Sequence, residues 1–172
     1  PTRVDIGKGP DFLLAARQKR LWIEVTCPAP SGVPTNWSNI VENQVISEPT
    51  GAILLRWTSA IKEKIEQLLG RPSGDPGYLS KGVVSNEDIY VIAVNGCRLR
   101  HGPFSALYGI SQFPYAAEAV FSIGPLVAHI NSETLNIKGI EHRYRGSITN
   151  HNGSPVPCAT FLDPQFKMIS AI

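Results

Sequence analysis

Two short apolar runs open the patterned part of the chain, DFLLAA at 11–16 and RLWIEVT at 20–26, with the polar Arg17-Gln18-Lys19 between them. Runs of this length, rich in β-formers and parted by a polar turn, predict a two-stranded hairpin. Residues 27–51 carry Pro, Ser, Asn and Gly without a period and read as a long irregular loop. Residues 52–69 (AILLRWTSAIKEKIEQLL) hold the clearest helical pattern. Leu54, Trp57, Thr58, Ile61, Ile65 and Leu68 fall on one stripe, while Arg56, Ser59, Ala60, Glu63, Lys64 and Gln67 take the other side. Gly70 and Pro72 stop this helix. A short helical piece is expected from Tyr78 to Val84. The unbroken apolar run at 89–95 (IYVIAVN) predicts a central strand buried on both faces. Residues 116–130 read as a helix that breaks near Gly124-Pro125. Residues 140–149 and 155–162 alternate on either side of His151-Asn152-Gly153, a hairpin turn signal, and a last strand begins near Lys167. The order strand, strand, helix, strand, helix, hairpin predicts an α+β fold: a mixed sheet flanked by helices, with a C-terminal β-hairpin.

Composition narrows the class. Of 172 residues, 42% are hydrophobic and 17% charged, which excludes a chain disordered over most of its length. The length suits one domain, 1–172, with one core. No apolar run approaches the ~18 residues that span a membrane as a helix. The net charge of +2 excludes a polycation, so contact with nucleic acid needs local clusters. Candidates are Arg17-Lys19-Arg20, Arg98-Arg100-His101 and His142-Arg143-Arg145. Cys27, Cys97 and Cys158 are odd in number and widely spaced, which reads as reduced thiols in a cytoplasmic protein. No charged-then-apolar leader precedes the first strand, and the opening on Pro1-Thr2 suggests a chain clipped at its ends. The four histidines show no zinc spacing, and no Walker-type or GxGxxG loop occurs.

The informative chemistry lies in Gly9-Pro10-Asp11-Phe12-Leu13 and Trp22-Ile23-Glu24-Val25-Thr26. Glu24 is a carboxylate within an otherwise apolar strand, costly to ionise unless something pairs with it. In a hairpin, Asp11 at the start of one strand can lie near Glu24 towards the end of the next. Two carboxylates converging there make an all-oxygen site that suits Mg²⁺ or Mn²⁺.

Pro10-Asp11, then Glu24-Val25-Thr26, then an Arg- and Lys-bearing helix and a buried strand resemble the restriction-endonuclease-like superfamily with its PD-(D/E)XK signature. The match runs from about residue 3 to residue 96. The whole length is also similar to a group of bacterial proteins sharing PDFL, WIEV, LRWTSAIKEK and VIAVNG. The resemblance implies a metal-dependent phosphodiester hydrolase, a DNA endonuclease, which in this superfamily often dimerises. It assigns the metal to Asp11 and Glu24, with the Val25 carbonyl as a further ligand. Thr26 departs from the pattern, because a Lys is expected there. Some members supply that cation from the crossover helix, which points to Lys64 or Arg56, with Gln67 as a companion. Lys62, on the other flank of the stripe, is the weaker candidate. Two other classes compete with this reading: a non-catalytic nucleic-acid-binding or regulatory module on the same fold, and an unrelated α+β interaction protein.

Overall fold

The structure is a computed structural model that describes residues 9–16, 19–34, 42–43, 47–99 and 108–171. Strands β1 (Phe12–Ala16) and β2 (Lys19–Thr26) form the expected antiparallel hairpin, with Phe12 opposite Ile23. Helix α1 (Thr50–Leu69) crosses over to β3 (Ile89–Val94), which pairs parallel to β2 with Glu24 beside Ile92. Helix α2 (Tyr115–Val120) leads into the ribbon of β4 (Ile123–Ile130) and β5 (Ile137–Tyr144). A small hairpin of β6 (Ser147–Thr149) and β7 (Pro155–Pro157) follows. The last strand, β8 (Ile169–Ala171), returns to lie parallel beside β3, so the main sheet runs β1-β2-β3-β8. The fold is mixed α+β. Among the described residues no helix is long and apolar enough to cross a membrane.

The core explains why α1 forms where it does. Successive residues of a strand face opposite sides, so Trp22 and Glu24 share one face of β2. In the parallel register Tyr90 and Ile92 continue that face on β3. The predicted stripe of α1 lies over it: Leu54, Trp57, Thr58, Ile61, Ile65 and Leu68 are all buried. The stripe is wider than the pattern showed. Ile53, Leu55 and Ala60 are buried as well, because α2 and β7 pack on α1 beside the sheet. Burying side chains of this size stabilises the fold by roughly 1.5–3 kcal/mol each.

Four expectations change. The unbroken run at 89–95 is not buried evenly: Tyr90 and Ile92 are sealed, whereas Val91, Ala93 and Val94 are only half-buried. Helix α1 covers the first of those two faces. The helix expected over 116–130 ends at Val120, and 123–130 is a strand. Ser122 breaks it at φ 58°, donating its amide to the Cys158 carbonyl at 2.7 Å. Gly124 and Pro125 fit a strand here because the ladder skips from Ile123 to Leu126. The 140–149 segment is shared between two strands, β5 of the ribbon and β6 of the hairpin around Asn150–Gly153.

The fourth change matters most for the site. Residues 78–84 are turns instead of a helix. After α1 the chain doubles back, and the Tyr78 and Leu79 amides donate to the Gln67 and Leu68 carbonyls at 2.9 and 3.1 Å. These are helix-end carbonyls that lack an intrahelical partner. Closure is so tight that a Cβ on Gly77 would collide with the Gly70 nitrogen and the Leu68 oxygen. Only glycine fits there.

A second anchor ties β2 to the approach to β3. Asp88 accepts from Arg20 Nε at 2.9 Å, Trp22 Nε1 at 3.0 Å and the Ser85 amide at 2.8 Å. Burial works to raise the Asp88 pKa, but these donors outweigh it and hold the carboxyl below its usual range. Arg20 is thus paired with Asp88 at the surface. A depressed carboxyl contributes stability that is complete above its unfolded value of 3.8 and fades as pH falls through the folded one. Asp88→Ala should therefore cost about 2–3 kcal/mol in urea denaturation at pH 7, mostly from the buried donors it strands, since Arg20 is well exposed. Between wild type and variant the gap should close only below pH ~4.

Candidate functional site

Glu24 is 4% exposed, which is rare for a carboxylate. Its partner comes from α1. Lys64 Nζ lies 2.6 Å from Glu24 Oε1 and 3.1 Å from Gln67 Oε1. Gln67 sits one turn beyond Lys64 on the same flank, so the amide holds the ammonium over the strand. Glu24 Oε2 is buried and has no hydrogen-bond partner among the described residues.

Asp11 stands just before β1, exposed, and its Oδ2 accepts from the Val25 amide at 2.8 Å. That contact places the Val25 main chain on the β1 side of the strand, beyond the point where β1 pairing ends at Ile23. The Thr26 carbonyl, by contrast, is taken by the Asn95 amide on the β3 side at 2.8 Å. Asp11 is close enough for its charge to bear on Glu24.

The electrostatics follow from burial. Desolvation raises the Glu24 pKa, and the Asp11 charge adds to this. The Lys64 hydrogen bond and charge work against it without cancelling it. Two tyrosines lie near enough to feel the charges of the two acids. Tyr78 is half-buried, and its phenol is pushed up by burial and then by the charges of Glu24 and Asp11. Tyr90 is sealed, its hydroxyl lacks a partner, and the same causes raise it further. Both phenols therefore stay protonated at neutral pH. Beyond Gln67 and Tyr78 the surface opens into a cavity of about 360 Å³ with Arg71 and Lys81 at its rim.

Of the residues singled out by sequence, Asp11, Glu24, Lys64 and Gln67 come together, with Val25 joining through its main chain. Thr26 lies on the Glu24 face at the strand end and carries no charge. Arg56 does not join them. Its Nε donates to the Ala29 carbonyl at 2.8 Å, beside a cavity lined by Ser31, Gly32 and His151. Eight residues separate it from Lys64, about 12 Å along the helix axis. Lys62 points away and pairs with Glu66 at 3.6 Å.

Of the basic clusters, Arg20 is paired with Asp88, and Lys19, His142 and Arg143 are exposed. Arg145 is paired with the buried Glu118, Arg98 is exposed, and Arg17, Arg100 and His101 lie outside the described residues. The long loop at 27–51 also falls partly outside them. Tyr78 and Tyr90 were not legible as site residues. The only hint was the Gly77-Tyr78 pair after the helix stop.

Among the described residues no three His, Cys, Asp or Glu side chains cluster for a metal. A hard ion that keeps several waters needs only one or two carboxylates. The donor set is all oxygen, and the orphaned Glu24 Oε2 has an unused acceptor, so the residues fit such an ion. Comparison with protein families, curated proteins and solved structures finds no match to this chain.

The raised pKa has a stability consequence. Between the usual value of 4.5 and the raised one, the folded state keeps a proton that the unfolded state has lost. Stability should fall as pH rises across that window, and the penalty is complete above it. Urea midpoints of wild type, compared with Glu24→Gln as the non-titrating reference, should show this slope. Removing the cation with Lys64→Met should move the Glu24 carboxyl titration, followed by NMR, to still higher pH.

Proposed function

We propose that this chain is a metal-dependent phosphodiester hydrolase, a DNA endonuclease of the PD-(D/E)XK type. The observation that carries the reading is the 2.6 Å contact of Lys64 with Glu24. The signature asks for a lysine two residues after the acid, on the same face of the strand. Here the helix delivers an ammonium to that acid, which supports Lys64 as the replacement for the cation missing at Thr26.

Asp11, Glu24 and the Val25 carbonyl would hold Mg²⁺ or Mn²⁺. When bound, the ion supplies charge neutralisation on the phosphate and a lower pKa for a coordinated water. The chain's own residues do the positioning. The Val25 amide fixes the Asp11 carboxylate. Gln67 orients Lys64. An ammonium has three protons, and the described contacts use two, which leaves one to meet the charge that develops on a phosphate oxygen. The cavity beside Gln67 balances Arg71 and Lys81 against Glu66 and Asp75, with Arg71 paired to Glu66 at 3.8 Å, so Lys81 is the cation there best suited to a nucleic-acid backbone. A homodimer belongs to the same reading. The surface that supports it is the β4–β5 ribbon, where Leu126, Ile130, Ile137, Ile140 and Tyr144 are all exposed.

Metal affinity tests the ligands. Mn²⁺ and a proton compete for Glu24, so calorimetric affinity should rise with pH through the raised Glu24 pKa. Asp11→Asn and Glu24→Gln should each weaken binding at least ~10-fold. An ion that binds equally well to both variants belongs elsewhere.

Cleavage tests the lysine. Plasmid DNA, single-stranded DNA and RNA should be offered with Mg²⁺, with Mn²⁺ and with chelator. Lys64→Ala should lose roughly a hundredfold or more in rate, the worth of a donor aimed at transition-state charge. Lys62→Ala should lose a few-fold at most, with an effect that disappears in high salt. Equal, salt-sensitive losses would remove Lys64 from the mechanism. No cleavage by the intact chain with either ion would favour a non-catalytic module.

A further inference from the structure

Beyond the carboxylate site, β2 and β3 are each followed within three residues by a cysteine. Cys27 follows Thr26 directly, and Cys97 lies in the single 3-10 turn Gly96–Leu99 after β3. Their sulfurs are 3.9 Å apart and both residues are exposed. The backbone beneath them is held by the parallel pairing of Thr26 with Val94 and by the Asn95 amide on the Thr26 carbonyl. The turn is fixed too, because the Cys97 amide donates to Asn95 Oδ1 at 3.0 Å. Closing the sulfurs from 3.9 Å to ~2.05 Å spans a gap of about 2 Å between two exposed side chains. Cys158 differs in burial and not in the direction of its shift: it is fully buried and its thiol is pushed up to about 11, while the Cys27 thiol is also raised, by desolvation and by Cys97 beside it.

We propose that Cys27 and Cys97 form a redox site that hydrogen peroxide converts into an intramolecular disulfide. In the first step the thiolate of one cysteine attacks a peroxide oxygen. The O–O bond breaks, hydroxide leaves, and that sulfur becomes a sulfenic acid. In the second step the other sulfur attacks the sulfenic sulfur, the S–O bond breaks, and water leaves. The two thiols together lose two electrons and two protons, and the peroxide is reduced to two waters. A second sulfur already at 3.9 Å acts at high effective concentration, so disulfide formation outruns further oxidation to the sulfinic acid. The inference is independent of any nuclease activity.

The test uses the full chain, reduced and then treated with a few equivalents of hydrogen peroxide at neutral pH. The intact mass should fall by about 2 Da. Thiols titrated after denaturation should fall from three to one, and a peptide map should join Cys27 to Cys97. The product should run as a monomer on a non-reducing gel, and dithiothreitol should restore all three thiols. Cys27→Ser and Cys97→Ser, both at exposed positions, should instead accumulate a sulfenic acid on the remaining partner, trapped by a cyclic 1,3-dione. The proposal is overturned if the wild type keeps three thiols, traps the dione at either cysteine without a 27–97 peptide, or cross-links mainly between chains.

Discussion

A carboxylate buried against a helix must either take up a proton or be met by a cation, and Glu24 sets that condition for the whole molecule. Its side chain is 5% exposed and that of Lys64 16%, so neither can fall back on water. Removing one partner of such a pair typically costs 3–5 kcal/mol, whereas the intact pair is close to neutral. The pair is therefore poor evidence of stabilisation and good evidence of constraint. It requires α1 to sit at one depth and one rotation over β2. The apolar stripe meets that requirement: Trp57, Ile61, Ile65 and Leu68 lock the helix on Trp22, Tyr90 and Ile92. The same geometry leaves Glu24 Oε2 without a partner among the described residues.

The surroundings divide into firm and open parts. The helix end is closed by the returning Tyr78 and Leu79 amides, and β2 is clamped to the segment before β3 by Asp88. Both devices act within a few residues of the acid pair. The β4–β5 ribbon is different, because every residue of β5 is exposed. A two-stranded ribbon has little core of its own. Its root is held where Arg145 meets the buried Glu118, and where the Arg145 amide reaches the Ser122 carbonyl.

Much of this was legible in the sequence because it depends on local pattern. The β1–β2 hairpin, the span of α1 and its buried stripe follow from residues close together in the chain. Asp11 and Glu24 could be paired from the hairpin alone. The misreadings share a cause: a local signal settled by distant partners. AAEAVFSIGPLVAHI has enough helical character to mislead until β5 pairs with its second half. The turns at 78–84 exist because carbonyls at the end of α1 need donors. Arg56 and Lys64 looked equivalent by helical phase. Axial position separates them, since one reaches the Pro-rich loop and the other the strand.

Placing the cation on the helix changes what the site depends on. A lysine at position 26 would share a strand with Glu24, and its spacing would be set by about 6.6 Å of extended backbone. Register alone would keep the two charges together. Lys64 has no such local tie. Its contact with Glu24 exists only while two elements forty residues apart stay packed, so the charge pair reports on the core beneath it. A cavity introduced at Ile61 or Ile65 would disturb that contact without touching either charge, because packed interiors relax by shifting the helix as a body. The strand end is in turn released from carrying a long cationic side chain. That leaves room for the small Thr26, and immediately beyond it for the two facing thiols at the ends of β2 and β3.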